Sequence, residues 1–230
     1  MSKKIFDIFS SIAGVYDVMG HLFSFGIDGL WREMAAREAL IEKNSYKILD
    51  VATGTGSIAI DIAKKAKRAK KQVEITAVDF NEDMLKIAEK KINKRKISNI
   101  CVKTGDAMKL DEPDCYYDVV TAGFLLRNVD DTKVFAEELK RILKKNGKFI
   151  LLGMGKPQNK LLNMFFKIYF SIIRLVGSLI DKRAYRWLTY SIMAFDRNKM
   201  LNILKDKGLK DLKIENLPFR IAFIITGIKG

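Results

Sequence analysis

Eleven residues constrain this chain more than any others: Tyr46-Lys-Ile-Leu-Asp-Val-Ala-Thr-Gly-Thr-Gly56. The first six form a short apolar run that reads as a buried strand. From Ser57 to Lys70 the pattern changes to a helical period through Ile58, Ile62, Ala63 and Ala66. Between them Gly54 and Gly56 carry no side chain, so the backbone can turn sharply and let a ligand approach the main chain. A strand, a glycine bend and a helix in that order open a βαβ unit. Ligands of such units bind beyond the carboxyl ends of the strands, and Asp50 stands at that end of the first strand.

The alternation then repeats. Val73–Val78 reads as a second strand and Glu82–Arg95 as a helix with Leu85, Ala88 and Ile92 inward. Asn99–Thr104 and Asp118–Gly123 read as strands three and four. Thr132–Lys145 reads as a helix that buries Val134, Phe135, Leu139, Ile142 and Leu143 and stops at Asn146-Gly147, ahead of strand five, Lys148–Gly153. A last helix, Lys199–Lys207, ends at Gly208. Two β-like runs, Leu212–Asn216 and Arg220–Gly227, are expected to pair as a terminal hairpin on the sheet edge. Ahead of the first strand, residues 3–13 place Ile5, Phe6, Ile8, Phe9 and Ile12 at helical spacing, and a second helix is expected over Gly29–Lys43. The expected class is α/β, a mostly parallel seven-stranded sheet with helices on both faces. A length of 230 residues suits a single domain over 1–230. Within it, 1–44 form a helical cover, 45–153 the core, 154–198 a helical lid and 199–230 the closing helix and strands.

Leu161–Ile180 is nearly continuous in apolar residues. Lys160, Asn163, Lys167, Ser171, Arg174 and Ser178 recur every three or four residues, which draws one narrow polar stripe along a greasy helix. Lys167 and Arg174 argue against a spanning helix. The segment is either a lid packed on the domain, a cover over an apolar substrate, or a helix lying in a membrane surface.

The balance of 42 Lys+Arg against 27 Asp+Glu, a net charge of +15, favours anionic partners without indicating a fold. Its densest cluster, Lys64–Lys71, fits the cationic end of a helix. Aromatic residues do not interleave with the lysines as a base-stacking platform requires, so nucleic acid is not the expected partner. Cys101 and Cys115 lack metal-ligand spacing and read as small apolar fillers; with His21 the single histidine, no metal is expected. The first residues are too polar in their periodicity for a signal peptide, so the expected location is cytoplasmic.

Three acids follow strand ends. Asp50 precedes the bend, Asp79 closes strand two, and Asp106 lies in Gly105-Asp-Ala107 after strand three. Asp79 is placed to take both hydroxyls of a ribose. Gly54-x-Gly56-x-x-Ala59 also fits a loop that cradles the pyrophosphate of a dinucleotide such as NAD. A carboxylate at position 50 would repel that pyrophosphate, whereas it suits the ammonium of a methionyl group. Asp106 can accept from an adenine amino group, or serve only to cap its own loop. Together the acids favour S-adenosylmethionine over a dinucleotide.

Tyr16-Asp-Val-Met19 with Ser24-Phe-Gly-Ile27 and Leu30-Trp31, then Leu49–Gly56, Asp79-x-Asn81-x-x-Met84-Leu85 and Leu126-Arg-Asn-Val129, follow one another along the chain. Lys156-Pro157, Tyr185-Arg-Trp-Leu188 with Ser191-Ile192, and Gly227-x-Lys229 complete the series. In this order they resemble the UbiE-type ubiquinone/menaquinone biosynthesis C-methyltransferases over nearly the whole chain. The resemblance implies a Rossmann-like class I methyltransferase fold with S-adenosylmethionine as cofactor and S-adenosylhomocysteine as product. It implies a cofactor site of Tyr16, the bend residues Ala52, Thr53, Gly54, Thr55 and Gly56, and Asp50, Asp79, Phe80, Met84, Asp106, Ala107 and Gly123. Arg127 and Asn128 would face the substrate. Tyr16 and Asp17 would belong to an N-terminal cover, with Asp17 or a water as the base.

Three positions depart from the family. Leu152-Gly-Met-Gly-Lys-Pro157 lacks its glutamate, Tyr190 replaces an acid, and Phe223-Ile-Ile-Thr226 lacks a histidine. The expected reaction is C-methylation of a prenylated quinol such as demethylmenaquinol, with Arg127 stabilising a phenolate or, instead, paired to Asp130 or Asp131. A phospholipid or another small apolar acceptor is the alternative. A homodimer and a peripheral contact of 161–180 with the inner face of the membrane are further expectations.

Overall fold

Seven strands form the sheet of the computed structural model, which describes residues 2–157 and 159–230: β1 (Ser45–Val51), β2 (Gln72–Asp79), β3 (Ile100–Thr104), β4 (Tyr117–Gly123), β5 (Leu143–Met154), β6 (Leu209–Asn216) and β7 (Ala222–Lys229). Their order is β3-β2-β1-β4-β5-β7-β6. The first five run parallel, and β7 lies antiparallel between β5 and β6. The terminal hairpin therefore forms at the edge, as its pattern requires. The helices are α1 (Lys3–Ile12), α2 (Tyr16–Phe23), α3 (Ile27–Glu38), α4 (Ser57–Arg68), α5 (Glu82–Lys94), α6 (Thr132–Ile142), α7 (Lys160–Ala194) and α8 (Arg197–Asp206).

Period-two alternation sends side chains to opposite faces of the sheet. Leu49, Val51, Val120 and Leu151 meet Phe135 and Leu139 of α6 and Leu204 of α8. Ile48, Ile75, Val119 and Ile150 meet Trp31 of α3 and Ile58 and Ile62 of α4. Burying each such aliphatic or aromatic side chain stabilises the fold by about 1.5–3 kcal/mol. A third cluster joins α1 to α7 through Ile8, Phe166, Phe170, Ile173, Tyr185 and Ile192. It holds the N-terminal cover and the lid together above the carboxyl ends of the strands.

Side-chain caps set several helix starts. Asn81 accepts from Met84 N–H at 3.1 Å, and Asp131 accepts from Lys133 N–H at 2.8 Å. Several boundaries differ from the sequence expectation. The segment before β1 holds three α-helices rather than two, because Tyr16–Phe23 forms the short α2, which buries none of its residues. The next helix begins at Ile27 and ends at Glu38 rather than Lys43. α6 ends at Ile142, since Leu143 turns to φ −70°, ψ 139° and pairs beside Tyr117 as the first residue of β5. Val134 lies on its exposed side. Both cysteines are exposed rather than core fillers. Cys101 sits on the edge strand β3, and Cys115 lies in the turn before β4 at φ +50°.

α7 is two helices joined at a bend. Asp181 leaves helical geometry (φ −149°, ψ 105°), and its carboxylate caps the second half by accepting from Arg183 and Ala184 N–H. The halves fold against each other where Tyr185 packs on Gly177; a Cβ on that glycine would fall 2.3 Å from the ring.

Candidate active site

β1 lies where the strand order reverses, with β2 on one side and β4 on the other. That is where open parallel sheets bind ligands. The bend beyond it carries Ala52 at φ +53°, Gly54 at +56° and Gly56 at +76°. The two glycines serve different ends. A Cβ on Gly56 would stand 3.0 Å from that of Ala88, so this glycine lets α5 close on the bend. A Cβ on Gly54 would point into open space, leaving room for a ligand against the main chain. Thr53 N–H donates to Val78 O at 3.0 Å and ties the bend to β2.

Asp50 is 1% exposed and accepts from Thr53 Oγ1 and Thr121 Oγ1, both at 2.6 Å. Burial pushes its carboxyl up to about 6. A native state that holds this proton more tightly than the unfolded chain loses stability as pH rises from the ordinary aspartate range to about 6. A cationic ligand group reverses that cost and needs the ionised form. S-adenosylhomocysteine binding, titrated by calorimetry, is therefore expected to weaken as pH falls through about 6, approaching tenfold per unit below it. Asp50→Asn should bind more weakly at neutral pH and show a flat profile over that range. A wild-type profile that is flat there would count against an ammonium at Asp50.

Asp79, 5% exposed, accepts from Gly54 N–H at 2.7 Å through Oδ2 and from Asn81 N–H at 2.9 Å through Oδ1. Burial raises its carboxyl, and these backbone donors oppose the shift. Gly105 N–H donates to Asp79 O, which sets the Asp106 turn beside this strand tip. Asp106 Oδ1 accepts from Met108 N–H at 2.9 Å, so this acid does cap its own loop. Met84 and Ala107 are buried, and the Phe80 ring meets Phe6 of the cover edge-on at 5.8 Å.

A cavity of about 510 Å³ opens beside the bend, between the strand tips, the N-terminal cover and α7. Tyr16, Asp50, Gly54, Thr55, Gly123 and Arg127 are on its wall, with Asp17, Ala52 and Thr53. Asp79, Phe80, Met84, Asp106 and Ala107 lie outside it, as does Gly56. The anticipated site thus divides into an open chamber next to Asp50 and a side outside it on which Asp79 is closed against Gly54 N–H.

Arg127 and Asn128 follow β4 and have separate tasks. Asn128 is buried and accepts from Trp187 Nε1 at 3.0 Å, which fastens the second half of α7 to the core. Arg127 faces the cavity and donates from Nη1 to Ser191 Oγ at 2.8 Å. Its Nε is buried with no hydrogen-bond partner among the described residues. No carboxylate among the described residues forms an ion pair with it, and Asp131 is engaged as the α6 cap. Burial pushes this guanidinium down from its ordinary value, while Tyr16 across the cavity acts the other way. Asp17 is held by Thr55 Oγ1 at 2.6 Å and Lys91 Nζ at 2.9 Å. The sequence does not single out Lys91, and it marks Trp187 and Ser191 only as parts of the Tyr185–Ile192 motif, without their contacts to Asn128 and Arg127. One available signal for Lys91 was its position seven residues after Met84, on the same face of α5.

A model of the ubiE/COQ5 methyltransferase family matches residues 1–229. The chain is 37% identical over 227 residues to the ubiquinone/menaquinone biosynthesis C-methyltransferase UbiE of Rickettsia bellii, covering 96% of this chain and 91% of that one. Identity to the protein of the same name from Rickettsia akari is 38% over the same coverage. Among solved structures, a SAM-dependent methyltransferase from Aquifex aeolicus superposes with a TM-score of 0.63 at 19% identity, over 86% of this chain and 89% of that one. Phosphoethanolamine N-methyltransferase 2 of Haemonchus contortus, in complex with S-adenosylmethionine, superposes with a TM-score of 0.65 at 17% identity, over 86% of this chain and 52% of that one.

Proposed function

The chain belongs to the ubiE/COQ5 methyltransferase family, and from that premise we propose that it methylates a ring carbon of a prenylated quinol such as demethylmenaquinol while seated on a membrane surface. It is an S-adenosylmethionine-dependent methyltransferase. The residues present fit that cofactor. Gly54 leaves open space against the bend, Asp50 offers a buried carboxylate to an ammonium, and Asp79 stands one strand away for the ribose. When bound, the cofactor supplies a methyl group activated on a sulfonium.

The single observation that carries the acceptor is the Arg127 guanidinium, which lines the chamber and forms no ion pair with a carboxylate of the described residues. Ring carbon becomes nucleophilic when a neighbouring hydroxyl loses its proton, and a cation fixed beside that oxygen stabilises the phenolate. Tyr16 faces Arg127 and completes the polar spot. Ile12, Phe170, Ile173 and Leu188 make the part of the wall built by α1 and α7 greasy, as a prenyl chain requires. In the free protein Asp17 is tied to Thr55 and Lys91, and we place it with the cover.

The helix α7 that lines the chamber also carries an exposed apolar face. On the first half of α7, Phe165, Ile168, Ile172, Leu175 and Leu179 stand in solvent, Leu179 at 88% exposure, and Phe25 beside Tyr169 extends the patch at 80%. The whole of α7 is long and apolar enough to cross a membrane, but Asp181 breaks it, and Lys167 and Arg174 interrupt its first half. Exposed cations at Lys160, Lys167, Arg174, Lys182 and Arg183 accompany the apolar face. An apolar face bordered by cations suits a helix lying in an anionic lipid surface.

One experiment tests both parts. Enzyme and labelled S-adenosylmethionine are mixed with anionic vesicles that contain demethylmenaquinol. Methylated quinol is expected, and Leu175→Glu with Leu179→Glu should reduce turnover on vesicles while sparing a short-chain quinol in solution. No methylated quinol at saturating enzyme overturns the acceptor, and label in the phospholipid amines instead would select the alternative acceptor. Equal turnover by the glutamate variant on both substrates overturns the membrane seat.

A further inference from the structure

Beside the bend, four polar side chains converge on one point of the cavity wall. Lys91 Nζ lies 2.9 Å from Asp17 Oδ2, 3.0 Å from Thr55 Oγ1 and 2.9 Å from Ser57 Oγ. Thr55 Oγ1 in turn donates to Asp17 Oδ1 at 2.6 Å. All four residues line the chamber that Asp50 enters. An ammonium and a threonine hydroxyl thus close on a single carboxylate, with the serine hydroxyl beside them. Charge-assisted bonds of this kind are the strong ones.

Two features set this cluster apart from an ordinary surface ion pair. Lys91 is drawn inward: its side chain is 19% exposed, and Thr55 is 2% exposed. The carboxylate it holds comes from a loosely attached element, because α2 buries none of its residues and the Asp17 side chain is 43% exposed. The donors are built into the floor, and the acceptor hangs from the cover. An amino acid attached to a nucleoside carries an ammonium and a carboxylate on the same carbon. Asp50 answers the ammonium and so far nothing answers the carboxylate.

We propose that Lys91, with Thr55 and Ser57, is the seat of the cofactor's amino-acid carboxylate, which Asp17 occupies in the free protein and vacates on binding. This rests on the S-adenosylmethionine site described above. Lys91 is then a binding residue that orients the donor end of the cofactor, and Asp17 is an internal competitor. Entry of the cofactor exchanges one carboxylate for another and frees α2 to settle over the filled chamber.

Calorimetry with two ligands tests the proposal. S-adenosylhomocysteine carries the amino acid; 5′-methylthioadenosine has the same nucleoside and thioether without it. Lys91→Met is expected to weaken S-adenosylhomocysteine by about 10- to 100-fold, the value of a hydrogen-bonded ion pair, and to leave methylthioadenosine unchanged. Lys91→Arg should restore part of the loss. Asp17→Asn is expected to tighten S-adenosylhomocysteine by about 3- to 10-fold by removing the competitor, again without effect on methylthioadenosine. If Lys91→Met leaves S-adenosylhomocysteine unchanged, or lowers both ligands together, the seat is elsewhere. Should Lys91→Met not fold, Asp17→Asn decides alone: no tightening overturns the proposal. If the wild type binds both ligands equally, the seat fails while the cofactor site stands. Binding of neither removes the cofactor site and the seat with it.

Discussion

Asp79→Ala should cost the protein its cofactor: S-adenosylhomocysteine affinity is expected to fall by about 100-fold or more. A buried carboxylate at the β2 tip can accept from both ribose hydroxyls, and each hydrogen bond to a charged group contributes about 1.5–3 kcal/mol. In the free protein the same oxygens hold Gly54 and Asn81 N–H, so truncation also loosens the bend against which the cofactor lies. Asp79→Asn separates the two effects. The carboxyl of Asp79 is raised by burial, which means the folded state resists its ionisation. Its contribution to stability declines as pH climbs from the ordinary aspartate range toward the raised value, and at neutral pH its charge opposes folding. An asparagine removes the charge and keeps one acceptor, but sets its NH2 against the other backbone N–H. The two effects oppose each other, so the free Asp79→Asn protein should melt near the wild-type temperature, yet still bind the nucleoside poorly. Thermal melting with and without S-adenosylhomocysteine checks both halves. A variant that retains wild-type affinity would remove Asp79 from the cofactor site.

What could be read from the chain beforehand follows the range of the interactions. The bend at Leu49–Gly56, the acids at strand tips and the alternation behind the sheet are local patterns, each complete within a few turns of chain. They survive into the structure nearly residue for residue. The α6 terminus does not, because Leu143 is taken by pairing with Tyr117 of another strand, which no local signal announces. The lid shows the same limit. Arg127 and Asn128, and Tyr185–Ser191, stand out separately along the chain, but their meeting through Ser191 and Trp187 spans about sixty residues. Lys91 was hidden for a different reason: among 42 Lys+Arg, one lysine that turns inward has no compositional mark. The departures at Gly153 and in Phe223-Ile-Ile-Thr226 acquire a context as well. A Cβ at Gly153 would strike the Phe223 ring at 2.5 Å, and Phe223 belongs to one of the other departing runs. Two departures are therefore a single packing arrangement in which a bulky ring fills space that a glycine vacates.

Arg127→Met is expected to lower kcat on a quinol by about 10²- to 10³-fold, the range for removing one group that stabilises developing negative charge. S-adenosylhomocysteine affinity should be unchanged, because the proposed cofactor-side acids lie on β1, on β2 and after β3, not in the segment after β4. Stability should move the opposite way. A guanidinium with a buried, unpartnered Nε and only a serine on Nη1 costs the free protein desolvation energy that no carboxylate returns. Methionine fills similar volume without that cost, so the variant should melt at a higher temperature than wild type. Loss of turnover together with gain of stability is the signature of a charge kept for an anion that arrives with the substrate. A structural arginine predicts the reverse, since losing its bond to Ser191 would loosen α7 and lower the melting temperature. Ser191→Ala gives the control: it keeps the cation, removes the α7 contact, and should reduce turnover far less than Arg127→Met. If the two variants lose turnover equally, Arg127 acts through the lid, and the phenolate must find its stabilising charge elsewhere in the chamber.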